Sequence, residues 1–301
     1  MTAPRIDVLH DCRLELAEGP AWDSQTNQLI WVDILEGCVY LGDLDGSQPV
    51  RCLDVGSHVG AALPSRASGE LLLCVRDGFA RYDVSTGALT AVADPLANRP
   101  LSRFNDAKVS PDGRAFGGTM PYRAGDEEGR LYRLDGAGIA RPVAERLTLA
   151  NGLGWSPDGR QMYVVDSGSG TLLTCEYDRA DGSLGTLRTL IEFTMPAGSM
   201  PDGMCVDDAG CLWIALWGRG ELRRYSPAGQ WDRTITLPVS RPTSVCFAGA
   251  RGDTLVVTSA NYGLDSRAHV REPHAGSLFA FDAGVTGPAA SLWNPELIGL
   301  S

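Results

Sequence analysis

The feature that most constrains this chain is a repeat. The segments GPAWDSQTNQLIWVDI, AALPSRASGELLLCV, AKVSPDGRAFGGTM, GLGWSPDGRQMYVVD, GMCVDDAGCLWIAL and SVCFAGARGDTLVVTSA each read as a strand, a turn usually carrying Asp and Gly, and a second strand. Most are followed by a third strand, as in GRLYRLDG, GELRRYSPAG and GSLFAFDAG. The unit returns about every 41 to 51 residues, the extremes being Glu18 to Val59 and Asn151 to Asp202, which is the period of a propeller blade. No long stretch has the 3.6-residue period of a helix. Six units fill the 301 residues, so the spacing predicts an all-β fold, a six-bladed β-propeller, with residues 1–301 forming a single propeller domain. The N-terminal stretch RIDVLHDCRLEL precedes the first unit and is expected to supply a strand that closes the ring against the last blade. A β-sandwich, or two smaller β domains, would not require so regular a period.

The repeat also has an internal register. The first strands open with EGPAW at Glu18, VGAAL at Val59, NDAKV at Asn105, NGLGW at Asn151, DGMCV at Asp202 and TSVCF at Thr243. Each lead residue stands four before a large apolar residue expected to pack between blades. Propellers line their channel with the first strand of every blade, so the six leads should converge at one mouth. Five of the six carry a side-chain oxygen. A turn role explains any one Asn or Asp before Gly, but it does not explain the same register recurring around a ring.

Glu18, Asn151 and Asp202 offer two carboxylates and an amide oxygen, hard ligands suited to Ca²⁺, Mg²⁺ or Mn²⁺. Two carboxylates around a divalent cation are neutral; without it they repel, and one would take up a proton. Arg103 lies two residues before the channel position Asn105, and the pair can hydrogen-bond hydroxyls or a developing oxyanion. Trp217, in ALWGRG, is a candidate pocket wall or an inter-blade packing residue.

Composition narrows the partners. A formal net charge of −11 and an acidic pI near 4.8 argue against nucleic acid or an anionic membrane as the main partner. The opening MTAPRIDVLHDCRLELAEGP has no apolar signal core, and no stretch approaches a membrane span, so a cytoplasmic protein is expected. Eight cysteines include no C-x-x-C pair, and several sit in apolar runs, so buried reduced thiols are expected. Four histidines without an H-E-x-x-H pattern leave no zinc site of the usual kind. No pattern speaks to the oligomeric state.

The motifs AEGPAWD, RFNDAKVSPDGRAFGGTM, ANGLGWSPDG, MPDGMCVDDAGCLWIA and RPTSVCFAG occur in one order across nearly the whole chain. Together they resemble the senescence marker protein/regucalcin, gluconolactonase and luciferin-regenerating enzyme family. That resemblance implies a six-bladed propeller with one divalent metal in the channel, Ca²⁺ first, with Mg²⁺, Mn²⁺, Zn²⁺ or Fe²⁺ as alternatives. It implies Glu18, Asn151 and Asp202 as metal ligands, with Asp202 also the general base. It implies Arg103 and Asn105 as substrate contacts, and hydrolysis of a sugar lactone to an aldonic acid. One departure stands out. Where relatives often carry an acid shortly after GTM, this chain reads GTMPYRAGDEEG, placing Tyr122 or Arg123 at the expected sugar contact. Asn261 likewise stands where related sequences often carry Arg. The competing readings are a calcium-dependent propeller esterase or organophosphate hydrolase, which would favour a more apolar mouth, and a calcium-binding propeller without catalysis.

Overall fold

The structure is a computed structural model, and it describes residues 4–123, 125–135 and 138–300. The described strands form six four-stranded antiparallel sheets arranged as a β-propeller. The ring closes as expected. Strand β1 (Asp7–His10) pairs with β24 (Leu278–Asp282), Asp7 opposite Ala280 and Val8 opposite Phe279, completing the last sheet with a strand from the other end of the chain.

The innermost strands are β2 (Ala17–Asp23), β6 (Val59–Pro64), β10 (Ser102–Val109), β14 (Ala150–Trp155), β18 (Met200–Val206) and β22 (Pro242–Ala248). All but a few of their residues are buried, on both faces, because each sheet is packed between two others. That burial explains their near-continuous apolar sequences. The outermost strands, such as β5 (Arg51–Asp54), are mostly exposed. Six clusters of buried apolar side chains fall one at each junction between neighbouring blades. The residues four past each lead lie in them: Trp22 between the sixth and first blades, Leu63 and Val109 between the second and third, and Trp155, Val206 and Phe247 at the next three. Burying each such side chain stabilises the fold by roughly 1.5–3 kcal/mol. A broken ring would expose two junction faces at once.

All six inner strands share a departure from regular pairing. The register shifts between Glu18 and Ala21, Val59 and Ala61, Phe104 and Asp106, Ala150 and Leu153, Pro201 and Met204, and Pro242 and Val245. Every lead residue lies inside or at the edge of this bulge. A bulge re-aims side chains and ends regular pairing, and here it sets the direction in which each lead side chain leaves its strand. The glycine after a lead has a separate cause. A Cβ on Gly152 would lie 2.6 Å from the Asp202 carbonyl oxygen, and one on Gly203 would overlap Ser244, so adjacent inner strands meet at backbone distance.

The cysteine expectation is half corrected. All eight thiols are free, but only Cys74, Cys175, Cys205 and Cys246 are buried; Cys12, Cys38 and Cys211 are half-buried and Cys52 is exposed. Cys52 lies on β5, whose outer position gives its side chains no neighbouring blade to bury against. The only α-helix among the described residues is α1 (Ser266–Arg271), and no described helix is long and apolar enough to cross a membrane.

Candidate active site

Two aspartates set the approach to the site. Asp33 ends β3 (Gln28–Asp33) and accepts from the backbone N–H groups of Glu15 at 2.8 Å and Leu16 at 3.3 Å. Asp166 ends β15 (Gln161–Asp166) and accepts from Thr148 N–H at 3.0 Å and Leu149 N–H at 2.9 Å. Each carboxylate thus satisfies backbone donors in the segment entering an inner strand, and holds that strand's lead, Glu18 or Asn151, in place. Neither aspartate was singled out in the sequence. The signal was there, as the shared endings WVD and VVD.

Glu18, Asn105, Asn151 and Asp202 are all buried around the channel mouth. The Asn151 Nδ2 donates to the Asp202 carboxylate and, at 3.1 Å, to Ser167 Oγ. Glu18 Oε2 accepts from the Gly19 N–H at 2.8 Å. Burial pushes the Glu18 carboxyl well above the usual carboxylate range, and the negative charges of Asp202 and Asp106 push it further. Burial also raises Asp202; the Asn151 hydrogen bond opposes this, and the Asp106 charge adds to it. The remaining leads do other things. Val59 is apolar, and Thr243 Oγ1 donates at 2.6 Å to the Ala17 carbonyl, tying the sixth blade to the first.

This donor set fits a hard divalent cation. The Asn151 Oδ1 is buried with no hydrogen-bond partner, a costly state for an amide oxygen unless something else satisfies it. It lies among carboxylates that repel each other. No group of three His, Cys, Asp or Glu side chains among the described residues is placed to hold a metal. A cation here would therefore draw on the amide oxygen as well as on Glu18 and Asp202.

Above this set, Arg103 Nη1 donates to Asn105 Oδ1 at 3.0 Å and to the Phe104 carbonyl at 2.9 Å. Arg103 is 6% exposed and forms no direct ion pair among the described residues, although the Glu18 and Asp202 charges act on it. Tyr122 follows β11 (Ala115–Pro121) and is 39% exposed at the rim, its hydroxyl 3.1 Å from His58 Nδ1. Burial, and then the charges of Arg103 and Arg76, hold His58 below its ordinary pKa, so the neutral ring can accept from the Tyr122 hydroxyl. Trp217, at the end of β19 (Leu212–Trp217), is half-buried with the Arg241 guanidinium 5.2 Å above its ring.

Two further channel residues escaped the sequence reading. Asp106 is buried, with one carboxylate oxygen unpartnered, and burial raises its pKa while the Lys108 charge lowers it. Lys108 is the sole lysine of the chain, and its Nζ donates to the Met204 carbonyl. Both line a cavity of about 280 Å³ at the far ends of the inner strands, beside Cys205 and Cys246. The NDAK run held the signal, since Lys108 is an odd polar residue in an apolar inner strand.

Comparison with known proteins gives a consistent result. The chain is 33% identical to regucalcin of Gallus gallus over 294 residues, 95% of this chain and 97% of that protein. It is 33% identical over 279 residues to the 6-deoxy-6-sulfogluconolactonase of Pseudomonas putida, 92% of this chain and 94% of that one. A crystal structure of regucalcin from Agrobacterium tumefaciens, described as a calcium-binding protein, superposes with a TM-score of 0.89 at 27% identity, covering 97% of both chains. The model of the SMP-30/Gluconolactonase/LRE-like region matches residues 16–261. The chain therefore belongs to the SMP-30/gluconolactonase/LRE-like family.

Proposed function

We propose that this chain is a divalent-metal-dependent lactonase that opens sugar lactones to aldonic acids. The observation that carries the proposal is the convergence, at one mouth, of the Glu18, Asn151 and Asp202 oxygens with the Arg103–Asn105 pair. The first group suits a cation and the second a polyhydroxylated ligand. The membership of the family, and relatives named as lactonases, support a hydrolase acting on the lactone ester bond. The calcium-binding description of the Agrobacterium neighbour supports Ca²⁺ as the first ion to try.

In this reading Glu18, Asn151 and Asp202 hold the cation, which when bound would polarise the lactone carbonyl. Asp202 takes a proton from the attacking water, and the ring oxygen leaves as an alcohol once it receives that proton. Burial raises the Asp202 carboxyl, in the direction that proton abstraction near neutral pH requires, while a bound cation would oppose that rise. The Asn151 amide orients its carboxylate. Arg103 and Asn105 are tied to each other, so both are fixed before substrate arrives, with the Asn105 amide N–H and the remaining guanidinium N–H groups free for hydroxyls. Tyr122 adds a rim contact, steadied by His58. The aryl-ester and organophosphate alternative fits less well, because the mouth carries guanidinium, amide and phenol groups.

The test is acid release from a panel of pentono- and hexono-lactones, followed by pH indicator after chelation and then with Ca²⁺, Mg²⁺, Mn²⁺, Zn²⁺ or Fe²⁺ restored. Metal-restored turnover is expected, and Asp202→Asn should lower kcat by about 10²–10⁴-fold in folded protein. Folded, metal-loaded protein inert on every lactone would overturn the reading in favour of a binding propeller.

A further inference from the structure

The third position after each lead is small in five of the six blades: Ala21, Ala62, Gly154, Cys205 and Cys246. In the third blade it is Lys108, the sole lysine of the chain. Its Nζ donates to the Met204 carbonyl, so a side chain of β10 is tied to the backbone of β18, past the intervening strand β14. Met204 is fully buried and stands two residues after Asp202. The tie therefore grips β18 just beyond the Asp202 carboxylate.

Asp106 makes the charge of that side chain matter. It is 1% exposed; its Oδ1 accepts from the Ala107 N–H at 2.7 Å, and its Oδ2 has no hydrogen-bond partner. Its negative charge reaches both Glu18 and Asp202 and raises each of them, while the Arg103 charge acts on that pair in the opposite sense. The charge that holds Asp106 itself down is that of Lys108. Asp106 and Lys108 line the same cavity of about 280 Å³. A buried carboxylate with a free oxygen, a nearby backbone carbonyl and room for water are the donors a second hard cation would use. An ammonium carried on the strand itself supplies positive charge there that cannot leave. It also spares the channel two divalent ions, which would repel each other.

Building on the metal-dependent lactonase reading, we infer that Lys108 is the channel's built-in second cation: a positioning residue that answers Asp106, bolts β10 to β18 and limits the channel to one divalent ion. The Asp106 carboxylate and the Met204 carbonyl are the oxygens it keeps from a second ion.

The test counts ions, by calorimetric titration of the metal-depleted chain with Ca²⁺ and, in parallel, Mn²⁺. The expected count is one per chain in the native protein and two in Lys108→Met, whose side chain keeps much of the length without the charge. The second ion should bind roughly tenfold or more weakly than the first, because the two repel. Adding Asp106→Asn to Lys108→Met should return the count to one, a reversal that a merely structural lysine would not show. Should Lys108→Met fold only with Ca²⁺ present, circular dichroism reads the same effect, since the double variant then folds without it. A single ion at native affinity in folded Lys108→Met, two ions in the native chain, or a double variant as damaged as the single one would overturn the inference. A count rising from one to two in a chain inert on every lactone would remove the hydrolase reading and leave this one. Metal-restored turnover, with one ion in both the native protein and Lys108→Met, would do the reverse.

Discussion

The substitution Gly152→Ala isolates strand placement from ligand chemistry. It adds one methyl group on β14, beside Asn151, and changes no polar atom. That methyl would lie 2.6 Å from the Asp202 carbonyl oxygen, 2.9 Å from the Met204 nitrogen and 3.0 Å from Met204 Cγ. Ordinary contact begins near 3.4 Å, so β14 and β18 must separate by several tenths of an ångström, and backbone on both sides leaves nothing soft to yield. Overpacking of this kind costs about 1–3 kcal/mol, against a gain of about 0.4–1 kcal/mol from restricting the unfolded chain. The expected net loss is about 1–2 kcal/mol, read as a fall in urea midpoint at unchanged slope. The same separation draws Asn151 from Asp202, so divalent-metal affinity and kcat should each fall, the latter by up to about 100-fold for a shift approaching 1 Å. Gly154→Ala is the control two residues on. Its methyl would meet Val206 Cγ2 at 2.9 Å and Met204 Cε at 3.3 Å, the movable ends of side chains, so stability should change by less than about 1 kcal/mol and metal affinity not at all. A Gly152→Ala protein with unaltered midpoint, metal affinity and turnover would refute the claim that backbone contact between inner strands sets the site.

Two further predictions concern charge and capping. Glu18 and Asp202 have folded pKa values raised above their unfolded ones, so between the two the native state binds more protons and stability falls as pH rises. Metal-free protein should therefore melt at a lower temperature near pH 8 than near pH 5, and excess Ca²⁺ should raise the melting point more at the higher pH; a reversed order would contradict buried, mutually repelling carboxylates. Asp166→Ala leaves the Thr148 and Leu149 N–H groups without their acceptor. It should cost about 1–3 kcal/mol in urea unfolding and weaken metal binding at Asn151, whereas loss of stability with unchanged metal affinity would make Asp166 a purely structural cap.

How far the fold was legible follows from what a repeat encodes. Period-2 apolar runs separated by Asp-Gly turns specify strands and hairpins locally, and a constant spacing specifies stacked sheets, so the propeller and its closing β1 could be read from residues alone. The register of Glu18, Asn105, Asn151 and Asp202 was legible for the same reason, since equivalent positions in equivalent blades share one end of the channel. The bulge at every lead was not, because a bulge is a relation between two strands and has no residue signature of its own. Nor was the burial of individual cysteines, which depends on whether a neighbouring blade covers the strand that carries them.

By itself the sequence determined the six blades, the closing strand and the mouth toward which the polar leads point, since each depends on local pattern repeated along the chain. Tertiary structure alone decided which of those leads meet. It turned Thr243 away to the Ala17 carbonyl, set Asp33 and Asp166 behind the strands of Glu18 and Asn151, put Lys108 beside Asp106, and laid the Arg241 guanidinium over the Trp217 ring. Such pairings join residues of different blades, and only closure of the ring sets the distances on which hydrogen bonds and charge repulsion depend.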